Sequence, residues 1–166
     1  EQGRPADAKR LLSTTLAILR DFDPRALLTL VTQGRLAEAE VLLGQWEQAQ
    51  AYQETALAAL KEHHPDAWRE RLQIMDGLIL AHSKIRNDAQ AEIITQQLLA
   101  LQREKLGNDH PDIAFTMHRI GESARRRSRY AEAASAIQEA LAIRRRILGE
   151  SHPDTLRSLS SLAGIS

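Results

Sequence analysis

The sequence contains no cysteine. That removes a disulfide framework, a thiol nucleophile and any thiolate metal site, and it fits a reducing, cytoplasmic setting. Aromatic residues are also scarce, at 4% of 166 positions. A core must then be built from leucine, isoleucine and alanine, which favours closely packed helices over a sheet. No charge of one sign is in excess: 22 Lys and Arg balance 22 Asp and Glu. Bulk electrostatics therefore argues for neither nucleic acid nor an anionic membrane as partner. Long apolar runs are absent. "GLILA" at 77–81 is representative, whereas a bilayer needs about 20 apolar residues. The opening "EQGRPADAKR" lacks the apolar centre of a signal peptide. Hydrophobic residues at 43% and charged residues at 27% are those of a globular chain.

What is present is repetition. "LGNDHP" at 106–111 returns as "LGESHP" at 148–153, and an aspartate, Asp112 or Asp154, follows each. Four longer blocks align without gaps: "PADAKRLLSTTLAI" (5–18), "WEQAQAYQETALAA" (46–59), "DAQAEIITQQLLAL" (88–101) and "YAEAASAIQEALAI" (130–143). Ala8, Ala49, Ala91 and Ala133 share one column, and Leu16, Leu57, Leu99 and Leu141 another, at spacings of 41, 42 and 42. A fixed period in this range marks stacked supersecondary units. In 130–147 the apolar residues Ala133, Ala136, Ile137, Ala140, Leu141 and Ile147 recur at helical intervals. The preceding segments are helical in pattern too, through Leu36, Ala39, Val41 and Leu43 in one unit and Trp68, Leu72, Met75, Leu78, Ile79 and His82 in the next. Each unit is thus a helix, a tight turn and a second helix. Gly3-Arg4-Pro5, Gly44-Gln45 and Arg86-Asn87-Asp88 are the expected turns.

The five prolines fit this frame. Pro24, Pro65, Pro111 and Pro153 are expected to head the first helix of a unit, and Pro5 a second helix, because the first helical turn tolerates a missing N–H. Asp66, Asp112 and Asp154 then put negative charge at the positive end of the helix dipole. Gly107 and Gly149 suit helix ends that need a left-handed residue. The joint "LG..HPD" is a stop and a start fused together.

With that pattern assembled, "LAEAEVLLGQWEQAQAYQETAL" (36–57) resembles a tetratricopeptide repeat through Leu36, Ala37, Gly44, Trp46, Ala49, Tyr52 and Ala56. "IGESARRRSRYAEAASAIQEAL" (120–141) does so through Ile120, Gly121, Ala124, Tyr130, Ala133 and Ala140. The usual repeat is about 34 residues. The longer period and the "LG..HPD" joint are similar to the kinesin-light-chain-like subclass, found also in bacterial multidomain signalling proteins. The resemblance implies an all-α, right-handed α-solenoid of stacked antiparallel helix pairs, with about three full repeats and partial ones at both ends. The expected layout is one solenoid over 1–166: a second helix at 1–23, a repeat at 24–64, a degenerate repeat at 65–110, a repeat at 111–152 and a truncated first helix at 153–166. Beginning at a turn and ending inside a first helix, the sequence reads as a piece of a longer protein.

Catalytic and metal chemistry find little support in the residues. His64, His110 and His152 each precede Pro-Asp, but packed helices lie about 8–10 Å apart and zinc–ligand bonds are about 2 Å. They read as helix-start punctuation, and no metal or cofactor is expected. No serine stands in a nucleophile elbow. His118 and Glu122 read as a solvated or salt-bridged pair on an exposed face. "ARRRSRY" (124–130) and "IRRRIL" (143–148) are basic, yet no aromatic residues interleave to stack bases. They read as a solvated face, with Arg144, Arg145 and Arg146 complementing a helix C-terminus.

In the family, first helices line the concave groove that holds peptides. Carried over column by column, that groove would present Arg35 and Glu38, then Gln73, Asp76 and Lys84, then His118, Arg119, Glu122, Arg125 and Arg126, and finally Arg157, Ser160 and Ser161. Where the subclass has Leu-Asn-Asn-Leu, this chain has Met117-His118-Arg119-Ile120 and Leu159-Ser160-Ser161-Leu162. The resemblance implies a non-catalytic protein-interaction module. Its partner would be a protein or an acidic peptide, gripped through Arg119, Arg126 and Arg157 by forked guanidinium donors that suit carboxylates. It could serve as the regulatory part of a larger cytoplasmic signalling protein. The alternative is a scaffold segment that self-associates through apolar solenoid ends.

Overall fold

A computed structural model describes residues 3–165. Among them are eight helices and no strand: α1 (Gly3–Phe22), α2 (Leu27–Leu42), α3 (Trp46–His63), α4 (Trp68–Lys84), α5 (Asp88–Leu106), α6 (Pro111–Arg126), α7 (Tyr130–Leu148) and α8 (Pro153–Ala163). The chain forms two compact units, Glu1–Ile94 and Thr95–Ser166, with the division inside α5. In the first unit α1 packs on α2, α2 on α3, α3 on α4, and α2 also meets α4. In the second, α7 packs on both α6 and α8.

Small residues let these helices approach. In the first unit Ala37, Ala49 and Ala56 are fully buried beside Leu36, Leu60 and Leu78. The core of the second unit is Leu99, Ile113, Ala114, Met117, Ala136, Ala140 and Ile143, with Ile120 and Ile147 packed against it. Burying a leucine or isoleucine contributes about 1.5–3 kcal/mol, so the alanine columns matter chiefly because they admit the larger neighbours. Gly121 lets α6 come close to the α7 backbone. A Cβ there would lie 2.4 Å from Ile137 Cγ1 and 3.0 Å from the Ala133 carbonyl oxygen.

The turns inside the helix pairs share one geometry. Gly44, Arg86 and Ser128, spaced by 42, have φ of 74°, 64° and 59°. The next residue closes each turn: Gln45, Asn87 and Arg129 donate their N–H to the carbonyls of Glu40, His82 and Ala124 at 2.9, 2.8 and 2.9 Å. This six-to-one bond around a left-handed residue is the Schellman arrangement. Gly3-Arg4-Pro5 departs from expectation. It is not a turn but lies in α1, whose first helical turn accepts Pro5 because that nitrogen needs no partner.

The joints between pairs divide into two kinds. Pro111 and Pro153 do head α6 and α8. His110 and His152 cap them, each Nδ1 accepting the N–H of the following aspartate at 3.2 Å. Gly107 and Gly149 adopt φ of 77° and 87°, as expected. Pro24 and Pro65, by contrast, sit in turns three residues before Leu27 and Trp68 open their helices. The reason is local. Asp23 Oδ1 takes the Arg25 N–H at 2.9 Å and forms a turn first. The ring of His64 is occupied elsewhere, its Nε2 lying 2.7 Å from the Arg25 carbonyl oxygen, so it does not cap.

Candidate functional site

In the first unit the proposed groove residues lie on the successive first helices α2 and α4. Arg35 is exposed and forms no ion pair among the described residues, while Glu38 and Gln73 face one another. Gln73 Nε2 donates to Glu38 Oε1 at 2.5 Å and ties the two helices together. Asp76 is exposed but has an interaction of its own. Lys84 is turned onto the Trp46 ring, 5.5 Å from its centroid.

In the second unit the corresponding residues converge between α6, α7 and α8. Ser158 is fully buried; its hydroxyl accepts from Arg144 Nη1 at 2.6 Å and lies 3.4 Å from His118 Nδ1. The same Arg144 nitrogen donates to the Asp154 carbonyl oxygen at 3.0 Å. Arg157 pairs with the Asp154 carboxylate at 3.1 Å, and Arg125 with Glu122 at 2.9 Å. Desolvation, and then the nearby Arg144 charge, hold the His118 ring below its ordinary value. Burial works to raise the Glu122 carboxyl, but hydrogen bonds from Arg125 and Ser161 outweigh it and leave the group below its usual range. Burial also lowers the Arg144 guanidinium.

Two expectations are corrected here. His118 and Glu122 are not on an exposed face; both are half-buried, and Glu122 pairs with Arg125 rather than with the histidine. Arg144 is not part of a solvated basic run. It is 4% exposed, whereas Arg145 and Arg146 lie nearer the surface and pair with Glu150 and Asp109. The signal that could have separated Arg144 is its column. It follows Gln102 by 42 residues, and Ser158 follows Thr116 by the same interval. Thr116 Oγ1 donates to Gln102 Oε1 at 2.8 Å. The same contact between a second helix and the next first helix is thus polar in one copy and cationic in the following one.

Much of the expected groove therefore bonds to the protein itself. Glu38, Gln73, His118, Glu122, Arg157 and Ser161 link one helix to another or to their own helix. What faces outward on α6 is a stripe at helical intervals. Phe115 is 53% exposed; Arg119, half-buried and with a further interaction of its own, stacks its guanidinium 5.6 Å from the Phe115 centroid; and Arg126 is exposed and forms no ion pair among the described residues. Ser160 is exposed on α8. Phe115 was missed from the sequence, although its position four before Arg119 could have flagged it. Among the described residues no cluster of three or more His, Asp or Glu side chains could hold a metal ion. Among the described residues no helix is long and apolar enough to cross a membrane.

The family model described as Tetratricopeptide repeat matches residues 1–62, 70–145 and 112–165. The chain belongs to the tetratricopeptide repeat family. No curated protein sequence matches this repeat chain. Among solved structures, BtubC (BKLC) from P. vanneervenii superposes with a TM-score of 0.84 at 20% identity, over 98% of this chain and 65% of that one. The nearly identical TPR-like repeats of a Podosopora anserina protein proposed to be a kinesin light chain superpose with a TM-score of 0.83 at 24% identity, over 98% and 78%. A single-residue variant of those same repeats gives 0.82 at 24%, over 98% and 77%. The tetratricopeptide-repeat α-solenoid is the fold class of this chain. Tetratricopeptide repeats in general serve protein–protein interaction and are not catalytic. The chain spans about two thirds of the length of the BtubC chain it matches.

Proposed function

We propose that this repeat segment is a non-catalytic interaction module that takes an acidic peptide or protein segment along the outward stripe of α6. The observation that carries the reading is Phe115 beneath Arg119, with the uncommitted Arg126 two turns further along the same face. An exposed aromatic ring beside arginines is the composition on which binding hot spots concentrate. Forked guanidinium groups suit carboxylates. Arg157, 63% exposed at its side chain although paired with Asp154, extends the cationic surface on α8, and Ser160 and Ser161 add hydroxyls.

The test is fluorescence anisotropy with a labelled glutamate-rich peptide and its glutamine counterpart, against the original chain and an Arg119→Glu/Arg126→Glu double variant of equal helicity. We expect the acidic peptide to bind the original chain, and the double variant to lose about tenfold or more in affinity, the equivalent of about 1.4 kcal/mol. Equal binding by both proteins, or no preference for glutamate, removes this face from the account. The reading extends to a regulatory role in a larger cytoplasmic signalling protein, since a module of this kind acts through what it recruits. A cysteine-free composition supports that setting, and fractionation of cells expressing the natural protein tests it.

A further inference from the structure

The turn between α6 and α7 carries a hydroxyl that its two counterparts lack. Gly44, Arg86 and Ser128 occupy the same column, and only the last is a serine. Ser128 is exposed. Its N–H donates to the Arg125 carbonyl oxygen at 3.0 Å, while its side-chain oxygen makes no hydrogen bond among the described residues. Arg125, Arg126, Arg127 and Arg129 surround it in sequence. No acidic residue stands between Glu122 and Glu132, and those two are already engaged by Arg125 at 2.9 Å and Arg129 at 3.3 Å. The turn thus holds an uncommitted hydroxyl inside a local excess of positive charge. Its φ of 59° is one that L side chains disfavour, so this turn opens more readily than the glycine turn at Gly44.

We propose that Ser128 is a phosphorylation site for a serine kinase that reads arginines on the N-terminal side of its target, and that the phosphate switches off the acidic-ligand face of α6. The transfer is from ATP. The Ser128 oxygen bonds to the γ-phosphorus, the bond from that phosphorus to the β–γ bridging oxygen breaks, ADP leaves with the electron pair, and the hydroxyl proton passes to solvent. Arg125 and Arg126 stand three and two residues before the serine, both exposed, and supply the forked cations that acidic kinase subsites engage. The new group carries about −1.5 to −2 charges at pH 7. It stands two residues from Arg126, an exposed cation with no ion pair among the described residues. There it becomes an internal competitor for the guanidinium that an acidic segment would otherwise engage. It also follows the end of α6 and precedes the start of α7, so the two helix dipoles oppose one another at that point and leave the arginines to hold it. The switching role rests on α6 being an acidic-ligand face; the modification site stands without it.

The test treats the 166-residue chain with an arginine-directed serine kinase and ATP, and locates the phosphate by tandem mass spectrometry. Phosphate is expected at Ser128, and total incorporation is expected to be lost in Ser128→Gly, a variant that suits the turn as Gly44 does. The phosphorylated chain, matched for helicity, is expected to bind the labelled glutamate-rich peptide about fivefold or more weakly, and phosphatase treatment to restore the affinity. A phosphorus NMR titration reports the pairing without any peptide. With phosphoserine encoded at position 128, the second ionisation should fall below its ordinary value of about 6 and return toward it in Arg126→Gln. No phosphate at Ser128, or undiminished incorporation in Ser128→Gly, overturns the site. Unchanged peptide binding after phosphorylation, or a titration that Arg126→Gln does not move, overturns the switch. If the unmodified chain does not bind the peptide at all, the interaction reading fails and the switch with it, while phosphate at Ser128 still establishes the site.

Discussion

Gly121→Ala is a demanding test of how α6 meets α7. Alanine in a helix interior is ordinarily favoured over glycine by about 1 kcal/mol. Here the added Cβ meets Ile137 Cγ1 at 2.4 Å, Ile137 Cδ1 at 3.0 Å and the Ala133 carbonyl oxygen at 3.0 Å. Ile137 is fully buried and cannot swing into solvent. The carbonyl belongs to α7 and moves only if the helix moves. Overpacking of this kind costs about 1–3 kcal/mol, and the backbone contact places the cost in the upper part of that range. After the propensity gain, a net loss of about 1–2 kcal/mol is expected. For a chain of this size that lowers Tm by about 2–8 °C. The assay is thermal and urea unfolding followed by circular dichroism. Gly34→Ala is the control: its Cβ would lie 3.3 Å from Ile74 Cγ1, and that side chain has only to shift slightly. It should be neutral or stabilising. If Gly121→Ala were as stable as the original chain, the close approach of α6 and α7 would be refuted.

Further outcomes follow from single contacts. Arg86 and Ser128 hold a left-handed conformation that L side chains disfavour. Arg86→Gly and Ser128→Gly should each therefore stabilise by about 0.5–1 kcal/mol, whereas Gly44→Ala should destabilise; urea midpoints distinguish these. His118 favours its neutral form in the fold, so its contribution to stability is complete above the unfolded value of 6.5. That contribution is lost as pH falls from there toward the lowered folded value. A ring titration by NMR should give a midpoint below 6.5, and amide protection of α8 should fall over the same interval; a midpoint at or above 6.5 would contradict the burial of the ring and the nearness of the Arg144 charge. Thr116→Val leaves the buried Gln102 amide without its hydroxyl partner and should cost about 1–3 kcal/mol. Gln102→Leu/Thr116→Ile, which restores the residue types found one period earlier at Leu60 and Ile74, should recover much of it; equal losses in both would refute the coupling.

The period, the helix pairs and the family were legible in the chain because they depend on local rules. Apolar residues at three and four make a helix, a left-handed residue ends it, and "HPD" restarts it wherever the histidine is free to cap. That same rule failed at Pro65 for a reason no local pattern carries: the His64 ring is drawn to the Arg25 carbonyl 39 positions away. The candidate site divides along the same line. Which residues occupy first-helix columns can be read by counting. Whether a given one faces solvent or a neighbouring helix depends on what stands opposite, and that is a tertiary fact. Counting placed His118, Glu122 and Arg157 beside Arg119 and Arg126 as equals. Packing turns His118 and Glu122 into the α6–α8 contacts and their own pairs, ties the exposed Arg157 to Asp154, lays the half-buried Arg119 along Phe115, and leaves Phe115 and Arg126 exposed. Arg144 shows the principle most simply. In the sequence it is one of three consecutive arginines. In the fold it alone is inside, because only its column points at the buried Ser158 hydroxyl, and a guanidinium out of water is held only where such partners meet it.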